Sequence, residues 1–463
     1  MRVEFHTTIA ALMEDSGGTL LYGRPETEVV NLSTDSRETG EKCFFIPLKG
    51  EKFDGHDYIL PLLESGTLSG FLTSDRERFE VLRDRGAAAV LTDNTLEAYG
   101  RIAAAHRNRI KPLVVGVTGT NGKTTCKEIL WTILGRRFTC LKNEKNYNNE
   151  VGVPFTLLHL RERHNLAVIE MGMNHEGEIG RLSRMARPNI ALITNVGEGH
   201  LEFLGSVENV ARAKAEIMEG MSPGGKIFIN ADTPYADLLR EKALDLRLEV
   251  ETFGLGEGMD LRPDGYELHT DHLVMILQGV RYQASLYGLH NVYNVLGAIA
   301  VSRECGMSDR MIQEGLGGFK SVSMRSQVID RGFVIINDTY NSNPLSSRYA
   351  LESVRLIFPA RRKVAVFSDM KELGKEAPRC HREIGAEVVR QGFDSLYTWG
   401  EEASHIHEGA LEAGMDETEA VHFVSKEEMI RRLESNVTKN DVVLVKGSRA
   451  MKMEEVVNAL VHD

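Results

Sequence analysis

The chain has 463 residues, and at about 150 residues per domain that length predicts roughly three domains and excludes a single small binding module. Hydrophobic residues make up 42% and charged residues 26%, with 43 Gly and 12 Pro, a globular composition that leaves little room for disorder. Lys and Arg number 55 against 67 Asp and Glu, a net charge of −12, so the surface repels nucleic acid and anionic lipid, and any anionic ligand has to be held in a local pocket.

The five cysteines, Cys43, Cys126, Cys140, Cys305 and Cys380, are scattered, odd in number and form no CxxC pair, which argues against a disulfide framework and a zinc knuckle. The first residues, MRVEFHTTIAALMEDSGG, hold a short apolar stretch followed by Glu14 and Asp15 and lack a small-residue cleavage site, unlike a signal peptide. No run approaches the ~18 apolar residues of a membrane span. A cytoplasmic protein with no membrane span and no nucleic acid partner is expected.

Residues 1–106 mix short strands, at 43–48 and 88–92, with helices, and end in the polar stretch 105–109, which reads as a linker. From Pro112 apolar strands alternate with helical segments: LVVGVT, LAVIE at 166–170, IALITNV at 190–196 and KIFIN at 226–230. Such runs predict a parallel sheet covered on both faces. Between 251 and 289 the pattern becomes hairpin-like and predicts a small antiparallel appendage. The Gly-rich passage 315–327 reads as a hinge before a third strand-helix series, FVIIND, KVAVFS, SLYTW and DVVLVK. The predicted class is therefore α/β in three domains, 1–106, 107–318 and 319–463.

The most informative segment is GVTGTNGKTT at 116–125, which follows the strand LVVGV and opens the helical stretch CKEILWTIL. Glycines let main-chain N–H groups converge on phosphate oxygens, the helix N-terminus adds partial positive charge, Lys123 supplies a full one, and Thr124 offers a hydroxyl to magnesium. The match to the standard phosphate loop is not literal, since five residues rather than four separate Gly116 from Gly122. The plain alternative is a glycine turn that merely caps a helix.

Glu170 ends an apolar strand, where ligands gather in open α/β sheets, and a carboxylate there suits magnesium opposite Thr124. His200 lies just beyond IALITNV, on the same sheet edge. Ser206 reads as the N-cap of VENVARAKAEIMEG, with Glu208 in its first turn. Lys214 shares a helix face with Val207, Val210 and Ala211, and spacing alone predicts an exposed helical lysine.

GVTGTNGKTT, GEGHLEFLGS with ARAK, GLHNVYN, MRSQ, INDTYNSNP and KGSR occur in the order of the Mur ligases, the ATP-dependent amide-forming enzymes of peptidoglycan synthesis, which the chain resembles over nearly its whole length. STDSRETGEKCFFIPLKGEKFDGHDY is similar to the UDP-substrate domain of that family, and FSDMKELG with LVKGSR to the third domain of its D-alanyl-D-alanine-adding branch. The resemblance implies a central P-loop-type, mostly parallel sheet with helices on both faces, a small α/β N-terminal domain and a Rossmann-like α/β C-terminal domain. It also implies a monomer that joins D-Ala-D-Ala to UDP-N-acetylmuramoyl-tripeptide, with ATP and two Mg²⁺ as cofactors, through an acyl phosphate.

Residue by residue, the resemblance puts Thr118, Gly119, Thr120, Asn121, Gly122, Lys123, Thr124 and Thr125 on the ATP phosphates. Thr124 and Glu170 hold one magnesium; His200 and Lys214 stand at the second, with Lys214 N-carboxylated. Asn291 and Asn294 lie near adenine, Asp338 and Tyr340 contact ribose and adenine, and Arg325 reaches the γ-phosphate across the hinge. Lys123, His200, Lys214 and Arg325 form the catalytic set.

For the uridine and diphosphate the candidates are Ser33, Asp35, Ser36, Arg37, Lys49, Gly50, Phe53, Asp54, Gly55 and His56. Asn146, Asn148 and Asn149 line the route of the muramoyl peptide, and Lys446, Ser448 and Arg449 take the D-Ala-D-Ala carboxylate, which a guanidinium fork suits. Each has a structural alternative: Asn291 as an N-cap, Arg325 in a hinge salt bridge, Asp338 as a strand-end acid, the asparagines as turn formers. One rival function is a related ligase that adds a single amino acid to UDP-MurNAc-dipeptide, or glutamate to folate. Another is a non-catalytic nucleotide switch, which needs no cluster of His200, Lys214 and Arg325.

Overall fold

In the computed structural model, which describes residues 1–50, 52–320 and 324–462, three six-stranded sheets succeed one another along the chain. A three-stranded antiparallel sheet, Gly265–Leu268, Leu273–Leu277 and Val280–Ala284, follows the second of them. The predicted appendage is thus present. Among the described residues no helix is long and apolar enough to cross a membrane, and all five cysteines are free.

The first sheet is mixed. Glu28–Ser33, Cys43–Phe45, Leu68–Thr73 and Ala88–Leu91 run parallel, flanked by antiparallel Arg2–Thr8 and Thr19–Tyr22. The strand expected over 43–48 is shorter: after Phe45 the chain runs irregularly over 46–48 toward the candidate uridine loop.

The second sheet is wholly parallel, in the order Glu249–Phe253, Lys226–Asn230, Ile190–Ile193, Leu113–Thr118, Leu166–Glu170, Cys140–Lys142. Its central strands are buried on both faces, as their unbroken apolar sequences require. The parallel arrangement brings the ends of Thr118, Glu170 and Ile193 to one edge, and the site is built there.

The third sheet runs Gln327–Asp330, Val334–Asp338, Asp441–Lys446, Arg362–Ser368, Ser395–Trp399, Ala420–Phe423, antiparallel only at its first pair. Of the predicted hinge, 315–318 belong to helix Asp309–Gly318, and Ser321, Val322 and Ser323 lie outside the described residues.

The expected linker at 105–109 is instead the end of helix Thr95–Ile110. Asn94 caps that helix by accepting from the Leu96 and Glu97 N–H groups, and Lys111, in the left-handed region at φ 53°, ends it. The stretch is polar because its side chains dock: buried Arg107 donates to the Ala186 and Arg187 carbonyls, and His106 bonds the Leu160 carbonyl. Polarity here marks a seam between units, not a free tether.

Candidate active site

The phosphate loop joins strand Leu113–Thr118 to helix Lys123–Leu134. Gly119 has φ +148° and Gly122 φ +81°, and a Cβ on either would stand 2.0 Å from Thr194 Oγ1 or 2.2 Å from Asn294 Oδ1, so the loop path admits only glycine at both. The neighbouring strand end grips it: the Asn121 N–H donates to Asn195 Oδ1 at 2.8 Å, and Thr194 Oγ1 donates to the Asn121 carbonyl at 2.5 Å. Lys123 Nζ donates to the Gly119 and Thr120 carbonyls at 2.8 and 3.1 Å, and burial lowers its pKa. Thr118, at 0% exposure, directs its hydroxyl to the Met171 carbonyl, so it shapes the loop from beneath.

Glu170 Oε1 accepts from Thr124 Oγ1 at 3.2 Å and from Asn148 Nδ2 at 2.7 Å, while its buried Oε2 has no hydrogen-bond partner. A hydroxyl, a carboxylate and an uncommitted carboxylate oxygen are hard donors that fit Mg²⁺. Among the described residues no three His, Cys, Asp or Glu side chains converge as a metal cage.

Ser206 does cap helix Val207–Ala215, accepting from the Asn209 N–H. Lys214, however, is not the exposed lysine that spacing predicts: it is 0% exposed and its Nζ has no hydrogen-bond partner. The last turn of this short helix enters the interior with Ala211, Ala213 and Ala215, a tertiary outcome that periodicity over nine residues does not encode. Burial, and then the nearby charge of Lys123, push the Lys214 pKa well below that of an ordinary lysine.

His200 sits in the left-handed region, φ 55°, and its Nδ1 lies 2.7 Å from Glu372 Oε2, an acid delivered by the FSDMKELG segment of the third unit. The hydrogen bond from His200 leads the causes that hold the Glu372 carboxyl below its usual range. Arg325 Nη2 donates to Thr124 Oγ1 at 3.2 Å, and its guanidinium lies 4.1 Å over the Tyr340 ring. It therefore meets the phosphate loop.

A second cleft on the other side of Gly122 is lined by Asn294, His290, Tyr293, Asp338, Tyr340 and Lys446. Asn291 stands behind it. Its amide donates to the Tyr287 carbonyl and its Oδ1 accepts from Asn294 Nδ2 at 2.8 Å, so it positions Asn294 and is not the N-cap of helix His290–Glu304. Burial pushes the Asp338 carboxyl up, but the paired Lys446 ammonium, the Lys446 hydrogen bond and the Ser326 N–H outweigh it and hold the group below its ordinary pKa.

At 1% exposure the Lys446 ammonium donates to Asp338 and, at 3.1 Å, to the Asn341 carbonyl, on the wall of this second cleft. The cause is register: Asp338 and Lys446 are paired on adjacent parallel strands. Ser448 is buried, its Oγ accepting the Lys371 N–H at 2.9 Å, whereas Arg449 is exposed and paired with Glu454 at 2.7 Å.

In the first unit, Asp35 takes the Arg37 guanidinium through Nε at 2.9 Å and Nη2 at 2.7 Å, which holds its carboxyl far below the usual range, and Ser33 Oγ accepts the Asp35 N–H. Ser36 stands between these two partners in the same turn. Lys49 and Asp54 bridge a tight loop in which the Gly50 N–H donates to the Phe53 carbonyl at 2.9 Å, leaving the Phe53 ring exposed. Asp54 then accepts from the N–H and Nδ1 of buried His56, across Gly55. Asn146, Asn148 and Asn149 line the cleft over Glu170, and Asn149 Oδ1 also accepts the Gly152 N–H at 2.9 Å where helix Gly152–Leu158 begins.

The Mur ligase middle domain matches residues 117–302, and the Mur ligase glutamate ligase domain matches residues 324–449. The UDP-N-acetylmuramoyl-tripeptide–D-alanyl-D-alanine ligase of Bacillus subtilis is 34% identical over 98% of this chain and 98% of its own. The Escherichia coli protein of the same name is 34% identical over 93% of each. Among solved structures, MurF from Acinetobacter baumannii superposes with a TM-score of 0.89 at 29% identity over 100% of both chains. MurF from Thermotoga maritima, in complex with ADP, gives 0.81 at 28% identity over 92% of this chain and 96% of that one. With its phosphate loop, its three sheets and relatives matched from end to end, the chain belongs to the Mur ligase family.

Proposed function

We propose that this chain is the ATP-dependent ligase that joins D-alanyl-D-alanine to UDP-N-acetylmuramoyl-tripeptide, in the cytoplasm, as a step of peptidoglycan precursor synthesis. The observation that carries this reading is one cleft in which the phosphate loop, Glu170, His200 and Arg325 converge from two different units, beneath the asparagine turn 146–149. A simple nucleotide switch has no need of such a junction.

A carboxylate is a poor electrophile and must be activated. Transfer of the ATP γ-phosphoryl group to the terminal carboxylate of the tripeptide gives an acyl phosphate and ADP. The D-Ala-D-Ala amine then attacks the acyl carbon, a tetrahedral intermediate forms, the nitrogen gives up a proton, and phosphate leaves with the C–O bond electrons, giving the amide.

Lys123 and the main-chain N–H groups of residues 119–125 hold the phosphates, and Arg325 adds charge against the transferring group. Thr124 and Glu170 would hold magnesium, which when bound neutralises charge on the phosphoryl oxygens and lets two anions approach.

Lys214 is the candidate for N-carboxylation: a neutral buried amine adds to carbon dioxide, releasing a proton and leaving a carbamate anion whose two oxygens face cations that an ammonium would repel. The support is its unpartnered, desolvated Nζ, which needs either neutrality or a new partner. His200 and this carbamate are assigned to a second magnesium.

The division of labour follows 1–106 for the UDP moiety, 107–318 for ATP and 319–463 for nucleotide closure and the dipeptide. Arg37 and the Phe53 ring are the exposed groups offered to diphosphate and uracil, and Ser448 with Arg449 is retained for the dipeptide carboxylate. Lys446 is reassigned to the nucleotide side. The cleft is complete within one chain, which supports action as a monomer.

Purified protein incubated with ATP, Mg²⁺, D-Ala-D-Ala and either the lysine- or the diaminopimelate-containing UDP-tripeptide is expected to release phosphate and yield the UDP-pentapeptide mass. Turnover with a free diamino acid and UDP-dipeptide, and none with D-Ala-D-Ala, would replace this reading with the single-residue ligase.

A further inference from the structure

Lys127 lies one helical turn beyond Lys123, in a stretch, Thr-Thr-Cys-Lys-Glu, that reads as an ordinary helix start. In the structure it is 0% exposed. Its Nζ donates to the Asn143 carbonyl at 2.7 Å and the Lys145 carbonyl at 3.4 Å, with Glu128 Oε1 at 3.3 Å and Glu170 Oε2 at 3.6 Å. A fully buried lysine is rare and is retained only where its charge and donors are answered. Here they are answered by the segment that carries the site's asparagines and by its acid.

Asn143, also 0% exposed, closes the same network. Its amide donates to the Tyr147 and Glu170 carbonyls, both at 2.9 Å, and its Oδ1 accepts the Glu170 N–H at 2.9 Å. Asn148 then reaches Glu170 Oε1 at 2.7 Å. Chain 143–148 is thereby wrapped around Glu170, with the Lys127 ammonium where turn, acid and helix meet. The 3.6 Å gap to Oε2 is a Coulomb contact and not a hydrogen bond, so the carboxylate is oriented without that oxygen being consumed.

We propose that Lys127 is a positioning residue of the ligase site: it locks the Glu170 carboxylate and the asparagine turn onto the phosphate-loop helix, so that acid, turn and loop act as one rigid body. This rests on the ligase reading above and assigns no chemical step to Lys127. Partners that orient a metal-binding group typically change metal affinity by about 10- to 100-fold when removed.

The test titrates ADP into the full-length protein by calorimetry, with and without Mg²⁺, for wild type, Lys127→Met and Lys127→Gln. The expected result is an ADP affinity without Mg²⁺ that stays at the wild-type value, and a Mg²⁺-dependent gain reduced roughly tenfold or more. In turnover assays the KM for UDP-tripeptide rises while that for D-Ala-D-Ala is kept.

A fall in Tm with the Mg²⁺-dependent gain and the KM values unchanged would make Lys127 merely structural and overturn the proposal. Should Lys127→Met fail to fold, Lys127→Gln, which keeps a donor for the Asn143 carbonyl but lacks the charge, is held to the same two outcomes. Absence of amide product from the wild-type chain counts against the ligase reading, whereas the role of Lys127 is decided by the binding titrations.

Discussion

Asn121 of the phosphate loop and Asn343 at the head of helix Pro344–Ile357 exchange two amide hydrogen bonds across the second and third units, at 3.1 and 2.8 Å. The same Asn343 Oδ1 caps its helix by accepting the Ser346 N–H at 2.9 Å. Close by, Arg348 of that helix pairs with Glu198 at 2.5 and 2.6 Å, and His200 with Glu372 at 2.7 Å. Three polar junctions therefore tie the second unit to the third, one of them through the phosphate loop itself, so a shift of either is felt by the other.

Two variants separate the roles of Asn343. Asn343→Ala removes cap and junction together and should cost about 1 kcal/mol of stability. Asn343→Asp caps a helix as well as Asn does, but sets a carboxylate against the phosphate loop. It should keep a Tm near wild type and bind ADP more weakly than Asn343→Ala, by calorimetry. Wild-type ADP affinity in Asn343→Asp would show that the pair does not sense the nucleotide.

Lys123→Ala should abolish ATP-dependent amide formation, with a loss on the order of 10²–10³ in kcat or more, while far-UV circular dichroism stays unchanged. The lysine lies over its own loop carbonyls at 2.8 and 3.1 Å, contacts that contribute little to the fold but hold the charge ready for phosphate. Product formation at the wild-type rate would remove the phosphate loop from the chemistry.

Lys446→Met leaves the Asp338 carboxylate buried without its cation, a change that typically costs about 3–5 kcal/mol. The double variant Asp338→Asn with Lys446→Met should recover much of that loss. In steady-state kinetics Lys446→Met is expected to raise the KM for ATP and leave the KM for D-Ala-D-Ala alone; the reverse pattern would restore Lys446 to the dipeptide.

Protein equilibrated with ¹³C-bicarbonate should show a carbamate carbon resonance that Lys214→Met lacks, and Lys214→Met should lose turnover by roughly a hundredfold or more. A wild-type spectrum without that resonance, at full activity, would mean that the buried amine acts unmodified.

His290 gives a pH dependence of known sign. Burial lowers its pKa to about 4, whereas the unfolded chain titrates near the ordinary value of 6.5. Between those limits the unfolded state binds the extra proton, so stability falls as pH drops through that window, with a slope of at most about 1.4 kcal/mol per pH unit from this group. In His290→Gln the loss of Tm between pH 7 and pH 5 should be smaller than in wild type; an equal loss would place the acid sensitivity elsewhere.

Much of the site was legible because its residues are local. A strand, a glycine turn and a lysine at a helix start are consecutive, so LVVGVTGTNGKTT declares the loop, and Ser206 declares its cap one residue before the helix begins. Asn343 carried a readable signal as well, an asparagine directly before a proline, which marks a helix start. Lys127 carried none, and Glu372, although it stands in FSDMKELG, carried none for its pairing with His200. Their importance comes from partners 43 and 172 residues away, Glu170 and His200.

Sequence alone thus determined the class of the fold, the phosphate loop and the strand-end placement of Glu170, because these depend on short-range periodicity and on backbone freedom within a few residues. Tertiary structure decided that Lys214 is interior, that Lys446 turns to Asp338 and not outward, and that residues 105–109 dock instead of swinging free. A charged side chain reads as exposed until its partner is known, and the partner is set by packing between elements far apart in the chain.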